Sequence, residues 1–351
     1  MDCKDVCYKK VGDVSIHLDV YPPELLGTAT LPTVCYLHGG GLTVGNRTSW
    51  FPHWIKARMV AAGFAFISAE YRLLPSATVH DIIDDIKDLF AFLAREDTLF
   101  KTDQGVEFGV DSKRIAIAGS SAGGLCAYLA GIHAVPKPKA VLAMYAQGGN
   151  CFTPQYLVPK TEPFFLGREI LDPKDFTEFI HPNCASLPAI SNSPLAYHPP
   201  TSPTPGWPAN PRMPLARLYF QLGVVLDYMT GQHEPSLSAE LRSFLGGGDS
   251  DPLALQESMK ARISSKHHRT IPQFNITSEF PPAFLCHGAI DSAVLPEESE
   301  HMERLLKAAG VSVRLLLVGD ASHSFDYAAD AESKYGEHFD EMAEFLKGAL
   351  N

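Results

Sequence analysis

The stretch that decides the fold is Arg114-Ile-Ala-Ile-Ala-Gly119-Ser120-Ser121-Ala122-Gly123-Gly124. Its first five residues, Arg114 to Ala118, predict a strand that is buried on both faces. The G-x-S-x-G pattern and the small residues after it predict a strained turn into a helix, with Ser121 Oγ exposed above the sheet. The start of that helix favours developing negative charge. An ordinary glycine-rich turn between strand and helix is the alternative interpretation of this stretch alone.

A second predicted strand ends in a glycine loop, Val34-Cys-Tyr-Leu-His38-Gly39-Gly40-Gly41. Three successive glycines let backbone N–H groups point together at one place, as an oxyanion hole opposite a nucleophile requires. A phosphate-binding turn is the alternative, but neither a lysine nor a G-x-G-x-x-G spacing follows. The two motifs on neighbouring parallel strands therefore favour nucleophilic catalysis by Ser121.

A nucleophilic serine also requires a base and a carboxylate that orients the base, and both are expected just beyond later strands. Asp291 lies in the loop after one predicted strand, Ala283 to Cys286, and His323 follows the next, Val311 to Val318. The order Ser, Asp, His makes His323 the candidate base and Asp291 its partner.

Three other residues compete for these roles. His287 stands at a strand end before a turn glycine, so we interpret it as structural. Asp320 and Asp326 lie too close in sequence to His323 to match a carboxylate from a separate loop. The assignment to Asp291 and His323 therefore depends on strand order.

The two glycine motifs belong to a repeated pattern of short apolar strands and helices. Val14 to Val20 alternates apolar and polar residues, which predicts an antiparallel strand with one solvent-exposed face. Four runs are apolar on both faces, as in a parallel sheet covered by helices: Thr33 to Leu37, Phe64 to Ser68, Arg114 to Ala118 and Ala140 to Tyr145. Helices are predicted between them at 51–62, 79–95 and 122–133. The fold class is α/β, with a mostly parallel central sheet of about eight strands flanked by helices.

The predicted helix at 79–95 carries four aspartates, Asp81, Asp84, Asp85 and Asp88. Carboxylates are almost never fully buried unless they are paired. The simplest prediction is that all four lie on the polar side of the helix, in solvent.

The alternation stops between 151 and 279. Eight prolines crowd a part of this segment that can form neither a regular helix nor a central strand: Pro194, Pro199, Pro200, Pro203, Pro205, Pro208, Pro211 and Pro214. Helical pieces are predicted around them at 172–180, 214–229, 235–245 and 251–262. Residues 1–150 and 280–351 therefore make up the predicted catalytic core, and 151–279 is predicted to be an inserted cap over its site.

The predicted cap contains large apolar residues with enough area to line a pocket: Phe164, Phe165, Leu215, Leu218, Tyr219, Phe220, Leu222 and Tyr228. The alternative is that they pack the cap onto the body or form a homodimer contact. Leu218, Tyr219, Leu222 and Val225 recur at helical spacing, which by itself indicates a core-facing stripe.

Composition excludes several kinds of partner. The chain has 351 residues, 45% of them hydrophobic, with 29 Lys and Arg against 40 Asp and Glu, a net charge of −11. This balance repels phosphate backbones and anionic membrane surfaces, so we expect neither nucleic acid nor a membrane as partner. Seven cysteines without a C-x-x-C pair indicate a reducing compartment, and the first ten residues lack the apolar core of a signal peptide. We therefore expect a cytoplasmic protein.

Five motifs occur together in this chain: His38-Gly-Gly-Gly41, Tyr71-Arg72-Leu-Leu-Pro75, Gly119-Ser-Ser-Ala-Gly-Gly124, Asp291 with Leu295-Pro296, and His323-Ser-Phe325. Together they resemble the hormone-sensitive-lipase-like esterase branch of the α/β-hydrolases, over residues 14–150 and 280–350. The resemblance implies that Ser121 is the nucleophile, His323 the base and Asp291 its partner. It also implies an oxyanion hole formed by the N–H groups of Gly40, Gly41 and Ala122, and neither a metal nor an organic cofactor. Arg72 is expected to be a buried structural cation.

The chain departs from this branch at two places. Ser120 stands before the nucleophile where the branch often has an acidic residue, which changes the electrostatics beneath Ser121. Only 37 residues precede His38, too few for the N-terminal helical cap that is common in these esterases. The cap is therefore expected to come mainly from 151–279.

The expected function is hydrolysis of a small or medium, apolar or aromatic carboxylic ester through an acyl-enzyme, with secondary metabolism as a setting. Thioesterase-type product release, lactonisation or acyl transfer to an alcohol uses the same three residues and differs in whether water reaches the acyl group. A non-catalytic ligand receptor on the same fold is the alternative of another class, and in such receptors the histidine that His323 supplies is lost. The expected partner is a small-molecule ester or thioester.

Overall fold

The computed structural model of the chain describes residues 3–24, 30–102, 105–245 and 252–351. Over these ranges nine strands form one sheet: β1 Cys3–Val11, β2 Val14–Tyr21, β3 Thr30–Leu37, β4 Ala65–Ala69, β5 Phe100–Lys101, β6 Glu107–Ser120, β7 Val141–Met144, β8 Ala283–Gly288 and β9 Val313–Val318. The spatial order is β1-β2-β4-β3-β6-β7-β8-β9, with the two-residue β5 paired to β6. All pairs from β4 to β9 along this path are parallel, whereas β1, β2 and β5 pair antiparallel with their neighbours.

Eleven α-helices accompany the sheet in the described ranges: α1 His53–Ala61, α2 Val79–Leu93, α3 Ala122–His133, α4 Pro154–Leu157, α5 Leu215–Leu222, α6 Val225–Thr230, α7 Leu237–Arg242, α8 Pro252–Arg262, α9 Ser265–His268, α10 Pro296–Ala308 and α11 Ala331–Leu350. Short 3₁₀ helices occur at 173–179, 183–186, 272–274 and 325–327. None of the helices described has both the length and the apolar character that crossing a bilayer requires.

The helices cover both faces of the sheet because side chains alternate along each strand. On β3, Cys35 and Leu37 join the core formed with α2, α3 and α10, whereas Val34 and Tyr36 join the core formed with α1 and α11. Residues of β6 and β7 divide in the same way. The predicted α/β class with a mostly parallel sheet flanked by helices is confirmed. Eight strands pair one after another across the sheet, and β5 is a ninth strand that pairs with β6.

Three local predictions are wrong in part. The solvent-exposed face of β2 is restricted to its first half, because Asp19 is buried and its Oδ1 accepts hydrogen bonds from Arg47 Nε at 2.9 Å and Asp5 N at 2.8 Å. The single helix predicted at 214–229 is two helices, because Gly223 adopts a left-handed conformation with a φ of +64° and ends α5. The predicted helix at 172–180 is a 3₁₀ helix at 173–179.

The segment between β7 and β8 carries α4 to α9 and the Pro-rich stretch. Its apolar residues continue the core of the α2–α3 face; Leu215 and Leu218 of α5 are fully buried there. Its role as a cap stays a prediction. Residue 251, at the start of one predicted helix, lies outside the described residues.

A buried ion cluster fixes α2 against the sheet. Asp85 is fully buried, and its carboxylate accepts hydrogen bonds from Arg72 Nε and the Arg72 backbone N–H, both at 2.9 Å, and pairs with Lys9 Nζ at 2.8 Å. Asp81 caps the start of α2 through Thr78 and also binds Arg72. The prediction that all four aspartates of this helix lie in solvent is therefore wrong for Asp85, whose cations come from outside the helix.

Asp85→Asn should lower the free energy of unfolding by about 3 kcal/mol, because it removes the one fully buried carboxylate that Arg72 and Lys9 share. Asp84→Asn is the matched control on the same helix, since Asp84 is half exposed and forms an exposed pair with Arg269. That control should change the free energy by no more than about 0.5 kcal/mol. Urea denaturation measures both, and equal effects of the two variants would contradict the cluster's role.

Candidate active site

Ser121 lies in the turn between β6 and α3, at the carboxyl edge of the sheet. Its φ of +54° is rare for a residue with a side chain and costs about 1–3 kcal/mol. The Ser121 N–H donates to Met144 O at 2.9 Å, and Ser121 O accepts from Gly124 N at 2.9 Å and Gln147 N at 3.0 Å. These bonds tie the strained turn to the end of β7, so the predicted strand-to-helix turn is present.

The glycines around this turn are required by close backbone contacts. A Cβ on Gly119 would lie 2.0 Å from Gly123 O, and a Cβ on Gly123 would lie 2.0 Å from Leu37 O. Because no side chain fits at either place, the start of α3 rests directly on the end of β3.

The structure brings the three predicted catalytic residues together in one chain of hydrogen bonds. His323 Nε2 lies 3.0 Å from Ser121 Oγ, and His323 Nδ1 lies 2.6 Å from Asp291 Oδ2. The carboxylate is an acceptor, so Nδ1 carries the imidazole proton and Nε2 is left to accept the serine proton. Asp291 and His323 come from the loops after β8 and β9, which end at the same edge of the sheet.

The second oxygen of Asp291 is held by the backbone. Its Oδ1 accepts from the N–H groups of Ala293 at 2.8 Å and Val294 at 3.1 Å. Burial raises the pKa of Asp291, but hydrogen bonds from His287 and His323 outweigh this effect and hold the pKa at about 2. The carboxylate is therefore ionised and fixed in orientation at neutral pH.

His287 is closer to the site than its interpretation as a structural residue suggests. It is fully buried, and its Nε2 lies 3.0 Å from Val294 O and 3.3 Å from Asp291 Oδ2. Both are acceptors, so Nε2 carries the proton and Nδ1 accepts from Ser299 Oγ at 2.7 Å. Because both ring nitrogens of His287 have partners other than Ser121, His287 helps to hold Asp291 in place. His323 is the histidine that contacts the serine.

The rival carboxylates are engaged elsewhere. Asp320 lies on the surface and pairs with Lys334 at 2.8 Å. Asp326 is buried and accepts hydrogen bonds from Tyr145 OH at 2.6 Å and Trp54 Nε1 at 3.1 Å. The ring of Tyr145 packs edge-on against His323 with 4.8 Å between centroids, so Asp326 is connected to the base through this ring and through its charge, without a hydrogen bond to the imidazole among the described contacts.

The glycine loop lies beside Ser121 at the end of β3. Gly40 and Gly41 have φ values of +102° and +61°, and a Cβ on Gly40 would lie 2.1 Å from Val44 O. His38 anchors the loop from beneath; its ring stacks on Tyr71, whose hydroxyl donates to His38 O at 2.7 Å. Burial lowers the pKa of His38 to about 4, so this ring is neutral.

Gly40 and Gly41 line the same cavity as Ser121 and His323. Ala122 is the buried first residue of α3, directly after the serine. Of the three residues predicted to form an oxyanion hole, two thus share the cavity with Ser121 and the third follows the serine directly in the chain; their role as N–H donors stays a prediction.

Ser120, which replaces the acidic residue common in the resembling esterases, lies in a buried network of hydroxyl groups. Ser120 Oγ is 2.7 Å from Tyr36 OH, and the Tyr36 and Tyr327 hydroxyls are 3.0 Å apart. Both tyrosines donate to Trp50 O. The position beneath the serine is therefore occupied by neutral hydrogen-bonding groups instead of a carboxylate.

A cavity of about 880 Å³ opens above Ser121. This is in the upper part of the range for small-molecule sites. Much of its wall comes from the segment 151–279, and the apolar and aromatic members of that wall are Phe165, Leu166, Ile170, Leu171, Tyr197, Trp207, Pro208, Met213, Pro214, Ala216 and Phe220.

The sequence identified only part of this wall. Among the apolar residues proposed there, Phe165 and Phe220 line the cavity, whereas Leu215 and Leu218 are buried in the core, as the alternative interpretation held. Trp207, which lines the cavity and is 67% exposed, was missed. The sequence signal that could have identified it was the presence of a tryptophan in a Pro-rich stretch that has neither helical nor strand periodicity.

Comparison with protein families matches two parts of the chain. Residues 18–143 match the family described as BD-FAE, and residues 246–351 match the prolyl oligopeptidase family. The first part contains the glycine loop and the serine turn, and the second contains Asp291 and His323.

Curated relatives of two kinds resemble the chain. A non-reducing polyketide synthase of Aspergillus calidoustus, ausA, is 27% identical over 340 residues, which are 93% of this chain and 13% of the synthase. Other non-reducing polyketide synthases match at 24–27% identity. A probable carboxylesterase of Phoma sp., M8, is 28% identical over 148 residues, 40% of this chain and 46% of that protein. The chain thus spans about one seventh of the length of the synthases it matches.

Solved structures share the fold. The esterase Est2 of Thermogutta terrifontis with bound butyrate superposes with a TM-score of 0.57 at 17% identity, covering 99% of this chain and 94% of the esterase. The chain therefore has the α/β-hydrolase fold, and its site holds a serine, a histidine and a carboxylate in hydrogen-bond contact. The predicted resemblance to the esterase branch agrees with the BD-FAE match.

The lowered pKa of Asp291 makes a measurable contribution to stability. A carboxyl whose pKa falls from 3.8 to about 2 on folding stabilises the native state by about 2 kcal/mol above pH 4, and this stabilisation is lost as the pH falls through 2. The free-energy difference between wild type and Asp291→Asn should therefore be about 1 kcal/mol larger at pH 6 than at pH 3.

Asp326→Asn is the matched control, and its effect on the free energy of unfolding should change with pH in the opposite direction. Burial raises the pKa of Asp326, so its favourable contribution is present at low pH and lost as the pH rises. Urea titrations at both pH values measure the two differences. A difference for Asp291→Asn that does not change with pH would show that its carboxylate is not stabilised by the two histidines.

Proposed function

We propose that this chain hydrolyses carboxylic esters through an acyl-enzyme formed on Ser121. The observation that carries the proposal is the contact of Ser121 Oγ with His323 Nε2 at 3.0 Å, next to a cavity and backed by the Asp291 carboxylate at 2.6 Å from His323 Nδ1. A serine, an unprotonated imidazole nitrogen and an orienting carboxylate are the parts that activate a hydroxyl at neutral pH.

In the first half of the reaction, Ser121 Oγ attacks the ester carbonyl carbon while His323 Nε2 takes the hydroxyl proton. The carbonyl electron pair moves to oxygen, and the N–H groups of Gly40, Gly41 and Ala122 donate to the resulting oxyanion. The bond to the alcohol oxygen then breaks, and His323 returns the proton to that oxygen. Asp291 stabilises the imidazolium between the two proton transfers.

In the second half, a water molecule attacks the acyl carbon of the ester on Ser121. His323 takes one proton from this water, and a second oxyanion forms at the same N–H groups. When the bond to Ser121 Oγ breaks, His323 gives the proton back to the serine and the free acid leaves.

The cavity wall supports a preference for apolar or aromatic esters. Its volume of about 880 Å³ exceeds what a short acyl group fills, and Trp207, Tyr197, Phe165 and Phe220 provide aromatic surface. Aromatic side chains contribute large contact area together with defined stacking geometry.

Release of an acyl group from a thioester is the second candidate function. It is favoured by the similarity to non-reducing polyketide synthases, which extends over 92–98% of this chain. The acyl-enzyme and the three residues are the same, and the leaving atom is sulfur instead of oxygen. Hydrolysis, cyclisation and transfer to an alcohol then differ in the nucleophile that reaches the acyl carbon.

Ser121→Ala should lower kcat/KM for a p-nitrophenyl ester on the order of 10³-fold or more, because the nucleophile is removed while the oxyanion donors remain. Ser333→Ala, at an exposed serine in the first turn of α11, is the matched control and should keep wild-type activity. Circular dichroism checks that both variants are folded. A folded Ser121→Ala variant with wild-type turnover would rule out the serine mechanism.

A single acyl group on two leaving groups, assayed with an alcohol present, separates hydrolysis from acyl transfer and from a non-catalytic receptor. We expect wild type to convert p-nitrophenyl benzoate and the benzoyl thioester of N-acetylcysteamine to benzoic acid in the presence of added alcohol, with product composition measured by chromatography. Accumulation of the alkyl benzoate would show that acyl transfer to the alcohol is the reaction. Cleavage of neither substrate by the folded protein would favour the receptor alternative.

A further inference from the structure

Three residues with formal charge at neutral pH belong to the described cavity wall, Arg168, Glu169 and Arg217. Their charges sum to +1, whereas the net charge of the whole chain is −11. All three come from the segment between β7 and β8. A cavity whose charge opposes that of the surrounding protein favours a ligand of the opposite sign.

Arg217 is incompletely paired for a half-buried guanidinium. Its Nη1 donates to Glu169 O at 2.8 Å, whereas its Nε is buried and has no hydrogen-bond partner among the described residues. A buried N–H group is almost always satisfied by protein, solvent or ligand, so the unpaired donor points to a missing acceptor.

Arg168 adds a second positive charge near the first. In the described part of the chain neither guanidinium forms an ion pair with a carboxylate within 4.0 Å. Burial lowers the pKa of Arg217, and the charge of Arg168 lowers it further. An anion bound close to both guanidinium groups would offset this repulsion and accept charge-assisted hydrogen bonds from them.

The loop that carries Arg168 is fixed to the catalytic apparatus. Arg168 N donates to Phe164 O at 2.8 Å, and Leu166 N donates to Ser292 Oγ at 3.2 Å, one residue beyond Asp291. Arg217 holds the next residue of the same loop through Glu169 O. The two arginines are therefore placed relative to the site by a short, tied hairpin and by α5.

We propose that Arg217 and Arg168 form a subsite for an anionic group, a carboxylate or a phosphate, carried by the ester or thioester substrate. The inference rests on the proposed function and adds the charge class of the substrate. Guanidinium groups suit both anions because their N–H donors match pairs of oxygens. Glu169 on the same wall opposes the anion, so its removal should strengthen the preference.

Matched substrates test the subsite. p-Nitrophenyl pentanoate and mono-p-nitrophenyl glutarate have acyl chains of equal length and differ in one carboxylate. Acetyl pantetheine and acetyl 4′-phosphopantetheine differ in one phosphate on the leaving group. Wild type should prefer the anionic member of at least one pair, and the pair that shows the preference tells whether the anion belongs to the acyl or the leaving group.

Arg217→Gln should lower kcat/KM for the preferred anionic substrate about tenfold, mainly through KM, and leave its neutral partner within about twofold. Arg168→Gln, at an exposed position, should act in the same direction, and Glu169→Gln should increase the preference. Arg217→Lys, which keeps the charge but loses the fork of donors, should fall between wild type and Arg217→Gln. Arg95→Gln, at an exposed arginine paired with Asp97, is the control and should leave both substrates unchanged.

Two outcomes overturn the inference separately from the proposed function. Wild type that cleaves neutral esters without preferring either anionic partner has no anion subsite, although it is a hydrolase. Arg217→Gln and Arg168→Gln variants that are folded by thermal unfolding and lose anionic and neutral activity equally would give the arginines a structural role. If no substrate is cleaved, the proposed function fails and the inference fails with it.

Discussion

The site depends on one close backbone contact between the turn after β6 and the end of β3. At Gly123 a Cβ would lie 2.0 Å from Leu37 O, and at Gly39 one would lie 3.3 Å from the Cβ of Ser121. Glycine at these positions lets the serine turn and the glycine loop touch. A larger residue at Gly123 would separate them, and the N–H groups of the loop would move away from the place where we propose that an oxyanion forms on Ser121.

The remaining parts of the site follow from the parallel sheet. Strands β3, β6, β8 and β9 all end at the same edge, so the loops behind them meet there although Ser121 and His323 are 202 positions apart. The Asp291 carboxylate is held at both of its oxygens, with two backbone N–H donors on one oxygen and two histidines near the other. Its position in turn fixes which nitrogen of His323 faces the serine.

The residues that could be predicted from sequence are those with local motifs. The turn that carries Ser121, the glycine loop, and the loops that carry Asp291 and His323 each come directly after a strand. Short motifs at these strand ends were enough to predict them. Asp85 was predicted in solvent because its partners, Arg72 and Lys9, lie on other elements and leave no periodic signal.

The cavity wall was the least predictable part for the same reason. Trp207 and Tyr197 stand in a stretch whose prolines remove helical and strand periodicity, and Arg217 occupies an ordinary helical position. Only the fold shows that these side chains share a cavity with Ser121. Nor did the sequence indicate that His287 lies close to Asp291, since the turn between the end of β8 and the loop that carries Asp291 can place the two side chains together or apart.

Covalent labelling of the folded protein with a fluorophosphonate, read by intact mass and peptide mapping, is the most direct measurement of the central claim that Ser121 is an activated nucleophile. The account predicts one adduct per chain on the peptide that contains Ser121, and a much slower reaction when His323 is replaced by alanine. Absence of labelling in folded protein, or an adduct on another residue with Ser121 unmodified, would contradict it.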